Sequence, residues 1–159
     1  MKITVISVGK SKEAYWTDAC REYVKRLSRY AQTALVEVAD DKIPDKATEG
    51  EERQILEREG ARVLAKIPEG AYVTAMAIDG KRFDSPGLAG WMQARMNEGA
   101  SHLVFVIGGS LGLSPEVLAR ADARLSFSAL TFPHQLARVM LLEQVYRSFR
   151  ILRGEPYHK

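Results

Sequence analysis

The chain has very little with which to build covalent staples or membrane spans. Cysteine occurs once, at Cys20 inside a helical pattern, which excludes an intrachain disulfide and a thiolate metal cluster and predicts a cytosolic setting. No apolar run approaches the roughly 20 residues that a membrane-spanning helix requires. The opening segment, Met1-Lys2-Ile3-Thr4-Val5-Ile6-Ser7-Val8-Gly9-Lys10, has too short an apolar stretch for a secretory signal and no small-residue cleavage pattern. It reads instead as a first strand of a soluble protein. The three histidines, His102, His134 and His158, show no ligand spacing, so no metal is expected. Internal repeats, low-complexity tracts and Gly/Ser linkers are also missing, and residues 1–159 read as one domain. A chain of this length buries about two thirds of its unfolded surface and needs no covalent help.

What is present is unevenly distributed. Net charge is only +3, yet residues 1–30 carry seven Lys/Arg against three acids, residues 134–159 carry five against two, and residues 37–59 reverse this with nine acids against four bases. If the fold brings the two ends together they form a basic surface suited to nucleic acid; otherwise they are ordinary solvated helix faces. Short apolar runs alternate with longer amphipathic ones, the pattern of a mostly parallel sheet covered by helices. Strands are predicted near Ile3–Val8, Ala34–Val38, Ala71–Met76, Leu103–Ile107 and Arg124–Phe127, and helices near Glu13–Tyr30, Thr48–Lys66, Pro86–Asn97, Pro115–Ala121 and His134–Leu152. Ser85-Pro86 and Ser114-Pro115 each supply a cap and a first-turn proline. Pro68-Glu69-Gly70 and Ile78-Asp79-Gly80 mark turns on either side of the third strand. The last helix has apolar residues nearly all the way round, from Leu136 to Leu152. A single sheet contact needs only one stripe, so a homodimer interface or deep burial within the monomer must absorb the rest.

Two segments carry the chemistry. In Val104-Phe105-Val106-Ile107-Gly108-Gly109-Ser110-Leu111-Gly112-Leu113-Ser114-Pro115, a buried strand runs into three glycines and then a capped helix. Such a loop can admit a nucleotide-like ligand close to the backbone, or it can be a plain tight turn. It matches neither GxGxxG nor GxxxxGK[ST]. The second segment, Leu125-Ser126-Phe127-Ser128-Ala129-Leu130-Thr131-Phe132-Pro133-His134-Gln135-Leu136-Ala137-Arg138, runs from a strand through small and apolar residues into the last helix. It suits a flat base such as adenine, or a loop that merely covers core.

Together with Val8-Gly9-Lys10, Glu143-Gln144-Val145-Tyr146-Arg147 and the terminal Pro156-Tyr157-His158-Lys159, these segments resemble the RlmH family of SPOUT methyltransferases in order, spacing and overall length. The resemblance implies an α/β fold with a mostly parallel five- to six-stranded sheet, helices on both faces, a C-terminal trefoil knot and a homodimer. It further implies S-adenosyl-L-methionine as cofactor, held by Met76, Gly108, Phe127, Ser128, Ala129, Leu130, Thr131 and Phe132. The implied activity is methylation of N3 of a pseudouridine in large-subunit ribosomal RNA, with assembled ribosomes as partner and no metal or membrane.

That nitrogen is a weak imide acid that must lose its proton as it attacks the methyl, so positioning and proton acceptance are required. Tyr157 and His158 are the candidates for this work, on a basic tail expected to act across the dimer; without the resemblance they would read as a frayed terminus. His158 is either a base or a binding contact. Arg138 and Lys159 are expected to face RNA, and Arg147, Arg150, Arg153, Lys10, Lys12 and Arg21 can contact phosphates, which position RNA without reading it. His134 is expected to be structural. The competing classes are a ribosome- or RNA-binding module that has lost catalysis, a SPOUT enzyme acting on transfer RNA, and an unrelated nucleotide-binding α/β domain.

Overall fold

The alternation of apolar runs and amphipathic stretches folds into three layers. The computed structural model describes residues 1–159. The elements are β1 (Lys2–Val8), α1 (Ala14–Leu27), β2 (Gln32–Val38), α2 (Glu49–Leu64), β3 (Tyr72–Arg82), α3 (Ser85–Asn97), β4 (His102–Ile107), α4 (Pro115–Arg120), β5 (Ala123–Ser126) and α5 (His134–Leu152). The sheet has five strands in the order β2-β1-β4-β3-β5, and every pairing is parallel. Strands covered on both faces should be apolar without alternation. β4 meets that requirement and β1 nearly so, with Ile3 to Val8 and Leu103 to Ile107 all buried and only Thr4 and Ser7 polar among them.

Each face has its own core. On one side Cys20 and Leu27 of α1, Met92 of α3 and Leu141, Leu142, Val145 and Phe149 of α5 close over Ile3, Val5, Leu103 and Phe105. On the other, Val63 of α2 and Val117 of α4 close over Ile6, Val8, Val104 and Val106. Burying one such aliphatic side chain contributes about 1.5 to 3 kcal/mol before entropy is subtracted. The helix starts are fixed by short polar side chains: Thr48 accepts from the Glu51 amide (3.2 Å), and Ser114 accepts from the Val117 amide (3.2 Å). For α3 the expected cap at Ser85 shifts by one residue, because Asp84 accepts from the Gly87 amide at 2.8 Å.

Two expectations change in detail. The Ile78-Asp79-Gly80 turn does not end the third strand; β3 runs on to Arg82, and both Met76 and Lys81 pair with Leu125. The intervening residues form a bulge, so the turn signal marks a kink within a strand. The apolar circumference of α5 is largely covered within the chain, since α1 and α3 flank it above β1 and β4. Leu136, Val139 and Met140 are left partly exposed. The same packing lays α1 along α5 and so brings the two basic ends of the chain side by side.

One close helix contact lies between α2 and α4. A Cβ on Gly60 would fall 2.2 Å from Ser114 Oγ and 2.9 Å from Ser114 Cβ, and Ser114 is held in place by its capping bond. Gly60→Ala is therefore expected to destabilise the fold by about 1 to 3 kcal/mol. Gly90→Ala, at a position of α3 with open space around it, should stabilise by up to roughly 1 kcal/mol. Urea denaturation of both variants checks the pair; equal effects would contradict the contact.

Candidate active site

The sheet's register decides which residues meet at its carboxyl edge. Ser7 and Met76 are both paired with Ile107, so the chain after β4 emerges between the end of β1 and the middle of β3, where its pairing with β4 stops. The glycine loop that follows closes on itself: the Gly112 amide donates to the Gly109 carbonyl at 3.0 Å. At Gly108 a Cβ would lie 2.5 Å from the Gly112 carbonyl oxygen, so only glycine permits the turn. Behind the loop sits Glu59 of α2, buried and accepting from the Asp41 amide at 3.0 Å. Burial pushes this carboxyl upward, and the neighbouring Asp41 and Asp40 add to the effect against the amide bond. Nothing in the spacing of α2 singles Glu59 out from the other acids of that helix.

A cleft of about 770 Å³ opens where β3 and β5 end, between the start of α3 and the outer face of α5. Met76, Leu125, Phe127 and Phe132 form apolar walls, with Phe127 and Phe132 edge to face at 6.3 Å. Ser126, Asp84, Ser85, Glu143 and Gln144 supply polar groups. Its size and its mixture of apolar wall with a few polar groups fit a nucleoside-sized ligand. Glu143 is ion-paired with Arg147 and accepts from Gln144, and Asp84 Oδ1 caps α3. Of the residues expected to hold the cofactor, the structure brings Met76, Phe127 and Phe132 to this cleft. Gly108 lies at the end of β4, and Ser128, Ala129, Leu130 and Thr131 form the outer part of the β5–α5 loop, where Leu130 is 70% exposed. Two hydroxyls brace that loop: Ser126 Oγ donates to the Ser128 carbonyl at 2.9 Å, and Ser128 Oγ accepts from the Leu130 amide at 2.8 Å.

The C-terminal tail is folded back on α5 of its own chain. Tyr157 stands edge to face on Tyr146 at 5.0 Å, beneath the Arg147 guanidinium at 4.7 Å, and its hydroxyl donates to Glu143 Oε1 at 3.1 Å. Burial pushes the phenol up to about 12, and the adjacent Glu143 carboxylate acts in the same direction. At neutral pH Tyr157 therefore keeps its proton and acts as a donor. His158 is exposed and borders the cleft, with Nδ1 3.3 Å from Arg147 Nη1. Within its own chain the tail is thus seated on α5. Lys159 is exposed. Arg150 is engaged internally, with Glu155 at 2.7 Å and the Pro156 carbonyl at 3.0 Å.

Arg138 departs from expectation most clearly. Its side chain is 6% exposed, which takes it out of reach of RNA. The guanidinium donates to Gly9 O (2.6 Å), Ser11 Oγ (3.0 Å), Glu37 Oε2 (2.9 Å) and His134 Nδ1 (2.9 Å). A buried guanidinium needs this many acceptors. Sequence spacing could not reveal it, because its partners other than His134 lie about 100 or more positions away. Burial raises the Glu37 carboxyl, but the bonds from Arg138 and the Ser11 amide outweigh it and leave the group below its ordinary value. A smaller cavity of about 240 Å³ lies beside Arg138 and Cys20; burial raises that thiol, which makes it a poor nucleophile. No three or more His, Cys, Asp or Glu side chains are gathered to hold a metal ion.

The chain is similar to known proteins in sequence and in fold. Residues 1–158 match the family described as "Predicted SPOUT methyltransferase". The chain is 55% identical to the "Ribosomal RNA large subunit methyltransferase H" of Bifidobacterium adolescentis and 54% identical to that of Listeria monocytogenes, over 159 residues and the whole of each chain. Among solved structures, the tRNA (m1G37) methyltransferase of Aquifex aeolicus has the same fold, with a TM-score of 0.54 at 10% identity over 92% of this chain and 70% of that one.

The Tyr157 contact makes an alkaline prediction. In the unfolded chain a tyrosine loses its proton near pH 10, whereas in the folded chain Tyr157 holds it to about 12. Deprotonation thus favours the unfolded state, and stability falls as pH rises through this window. Tyr157→Phe should show a smaller loss of urea midpoint between about pH 10 and 12 than the parent; an identical loss would contradict the assignment.

Proposed function

Because the chain belongs to the SPOUT methyltransferase family, we propose that it methylates large-subunit ribosomal RNA with S-adenosylmethionine, at N3 of a pseudouridine presented by the assembled ribosome. The observation that carries the reading is the apolar cleft at the ends of β3 and β5 with an imidazole at its rim. S-adenosylmethionine supplies an electrophilic methyl group on a positively charged sulfur. Met76, Leu125, Phe127 and Phe132 would pack its flat adenine, and Ser126 and Gln144 would hydrogen-bond its polar groups. Gly108 and the loop Ser128 to Thr131 complete the proposed pocket. The knotted C-terminal path and the homodimer go with this reading, the partly exposed Leu136, Val139 and Met140 of α5 being available as interface.

On the substrate side the work falls to the tail. Tyr157, clamped between Tyr146, Arg147 and Glu143, fixes the direction of the chain so that His158 stands at the cleft. A guanidinium only donates, so His158 Nδ1 is the acceptor wherever the Arg147 contact is made. In our reading His158 takes up the N3 proton, at Nδ1 once the weak 3.3 Å contact yields, as the nitrogen gains its methyl. Exposed Lys10, Lys12, Arg21, Arg153 and Lys159 are the proposed phosphate contacts, in keeping with the packing of the two basic ends. No helix is long and apolar enough to cross a membrane, and a cytoplasmic location is proposed on the ribosomal substrate.

The test is methyl transfer from labelled S-adenosylmethionine to ribosomes or free ribosomal RNA lacking the modification, with the label located by mass spectrometry. One labelled pseudouridine N3 on ribosomes is expected, with kcat falling about 10²- to 10⁴-fold in His158→Ala. Cofactor binding without transfer would favour a non-catalytic RNA-binding module, and absence of cofactor binding would overturn the methyltransferase reading.

A further inference from the structure

The β5–α5 loop has one end on the sheet and the other at His134, the first residue of α5. Phe132 of the cleft is two residues before it. His134 is clasped from two sides. Arg138 Nη2 lies 2.9 Å from Nδ1, one turn along the helix. From across the sheet edge, Gly9 presses on the ring so closely that a Cβ there would lie 3.0 Å from Cε1 and 3.1 Å from Nε2. Gly9 has φ +100°, and its carbonyl receives the other bond from the same Arg138 nitrogen, at 2.6 Å. Ser11 and Glu37 hold the opposite limb of the guanidinium. Arg138 therefore ties the β1–α1 loop and β2 to the start of α5, while its Nε is left without a partner.

We propose that Arg138, acting through His134, is a positioning residue for the cofactor side of the cleft, fixing the end of the loop that carries Phe132. This rests on the reading of the cleft as the S-adenosylmethionine site. The clasp requires one protonation state. Arg138 has no acceptor, so Nδ1 must present its lone pair and the ring proton must sit on Nε2. A second proton at Nδ1 removes the bond and sets two cations against each other.

The groups facing His134 are Arg138 on its own helix, Glu37 on β2, Asp40 beyond β2 and Glu13 before α1, with Lys10 and Lys12 lining the same polar cleft. Burial lowers the imidazole, Arg138 lowers it further, and the three acids act in the opposite sense; the net direction is down. The unfolded chain therefore takes up this proton first as pH falls, and the clasp's contribution is present above about pH 6.5 and lost below it.

Calorimetric titration of the full chain with S-adenosylmethionine from pH 5.5 to 8, beside nitrogen NMR of the histidine rings, tests the clasp. His134→Ala is expected to weaken cofactor binding about tenfold at pH 7.5, the scale of one lost charge-assisted bond. His134→Asn, whose amide oxygen occupies the place of Nδ1, should restore it. Parent binding should weaken at acid pH, and His134→Asn, which keeps His158, should lack that component. NMR should find Nδ1 unprotonated at neutral pH. Parent-like affinity in His134→Ala, or an Nδ1-protonated tautomer, overturns the clasp alone. If His134→Ala does not fold, the pH profiles of the parent and His134→Asn decide. No binding by the parent at any pH overturns the cleft assignment and the clasp together.

Discussion

The insertion of β4 between β1 and β3, in parallel and in register, is the constraint on which the other features depend. It places Ser7, Ile107 and Met76 in one row, so the chain after β1, the chain after β4 and the bulge of β3 lie at adjacent points on one edge. Parallel strands direct all their carboxyl ends the same way, and open α/β sheets use that edge for ligands. Here the edge supplies the glycine turn, the bulged extension of β3 and the β5–α5 loop. The cleft is what remains between them once α3 and α5 are packed. Because β1 and β4 are apolar on both faces, slipping this register by one residue would turn their side chains onto the wrong cores.

Polar groups refine that frame where hydrophobic packing leaves it loose. Arg138 is buried at the meeting of the β1–α1 loop, β2 and α5 and has acceptors on all three. Such a network contributes little net stability compared with an apolar filling but fixes geometry, since any missing acceptor leaves a buried cation unpaired. The tail shows the same logic at the opposite end of α5, where Tyr157 is held by Tyr146, Arg147 and Glu143. Both ends of α5 are thereby pinned, one at the cofactor loop and one at the proposed substrate side.

The elements were legible because local signals agreed with one another. β4 is an unbroken apolar run from Leu103 and β1 a mostly apolar one, Ser114-Pro115 opens α4 as expected, and α5 spans the predicted His134–Leu152. Where the expectation slipped, a nonlocal partner was responsible. Ile78-Asp79-Gly80 has the composition of a turn, but pairing of Lys81 and Arg82 with β5 keeps it within the strand. Arg138 on a charged chain end looked solvent-facing because Glu37, Gly9 and Ser11 are distant in sequence. Met76, Phe127 and Phe132 were identified only through resemblance, and the structure gathers them at one cleft. Glu59 carried no signal at all, being one acid among several on α2 until the glycine loop is folded over it.

Hydrogen exchange of the full chain with and without S-adenosylmethionine tests the central claim most directly. The account predicts slowed amides at the end of β3 near Met76, in Gly108 to Gly112 and from Ser126 to Gln135, with little change around α2. Protection confined to the cavity beside Cys20 or to the polar cleft around Lys10 and Asp40 would contradict it and move the site to the other side of the sheet edge.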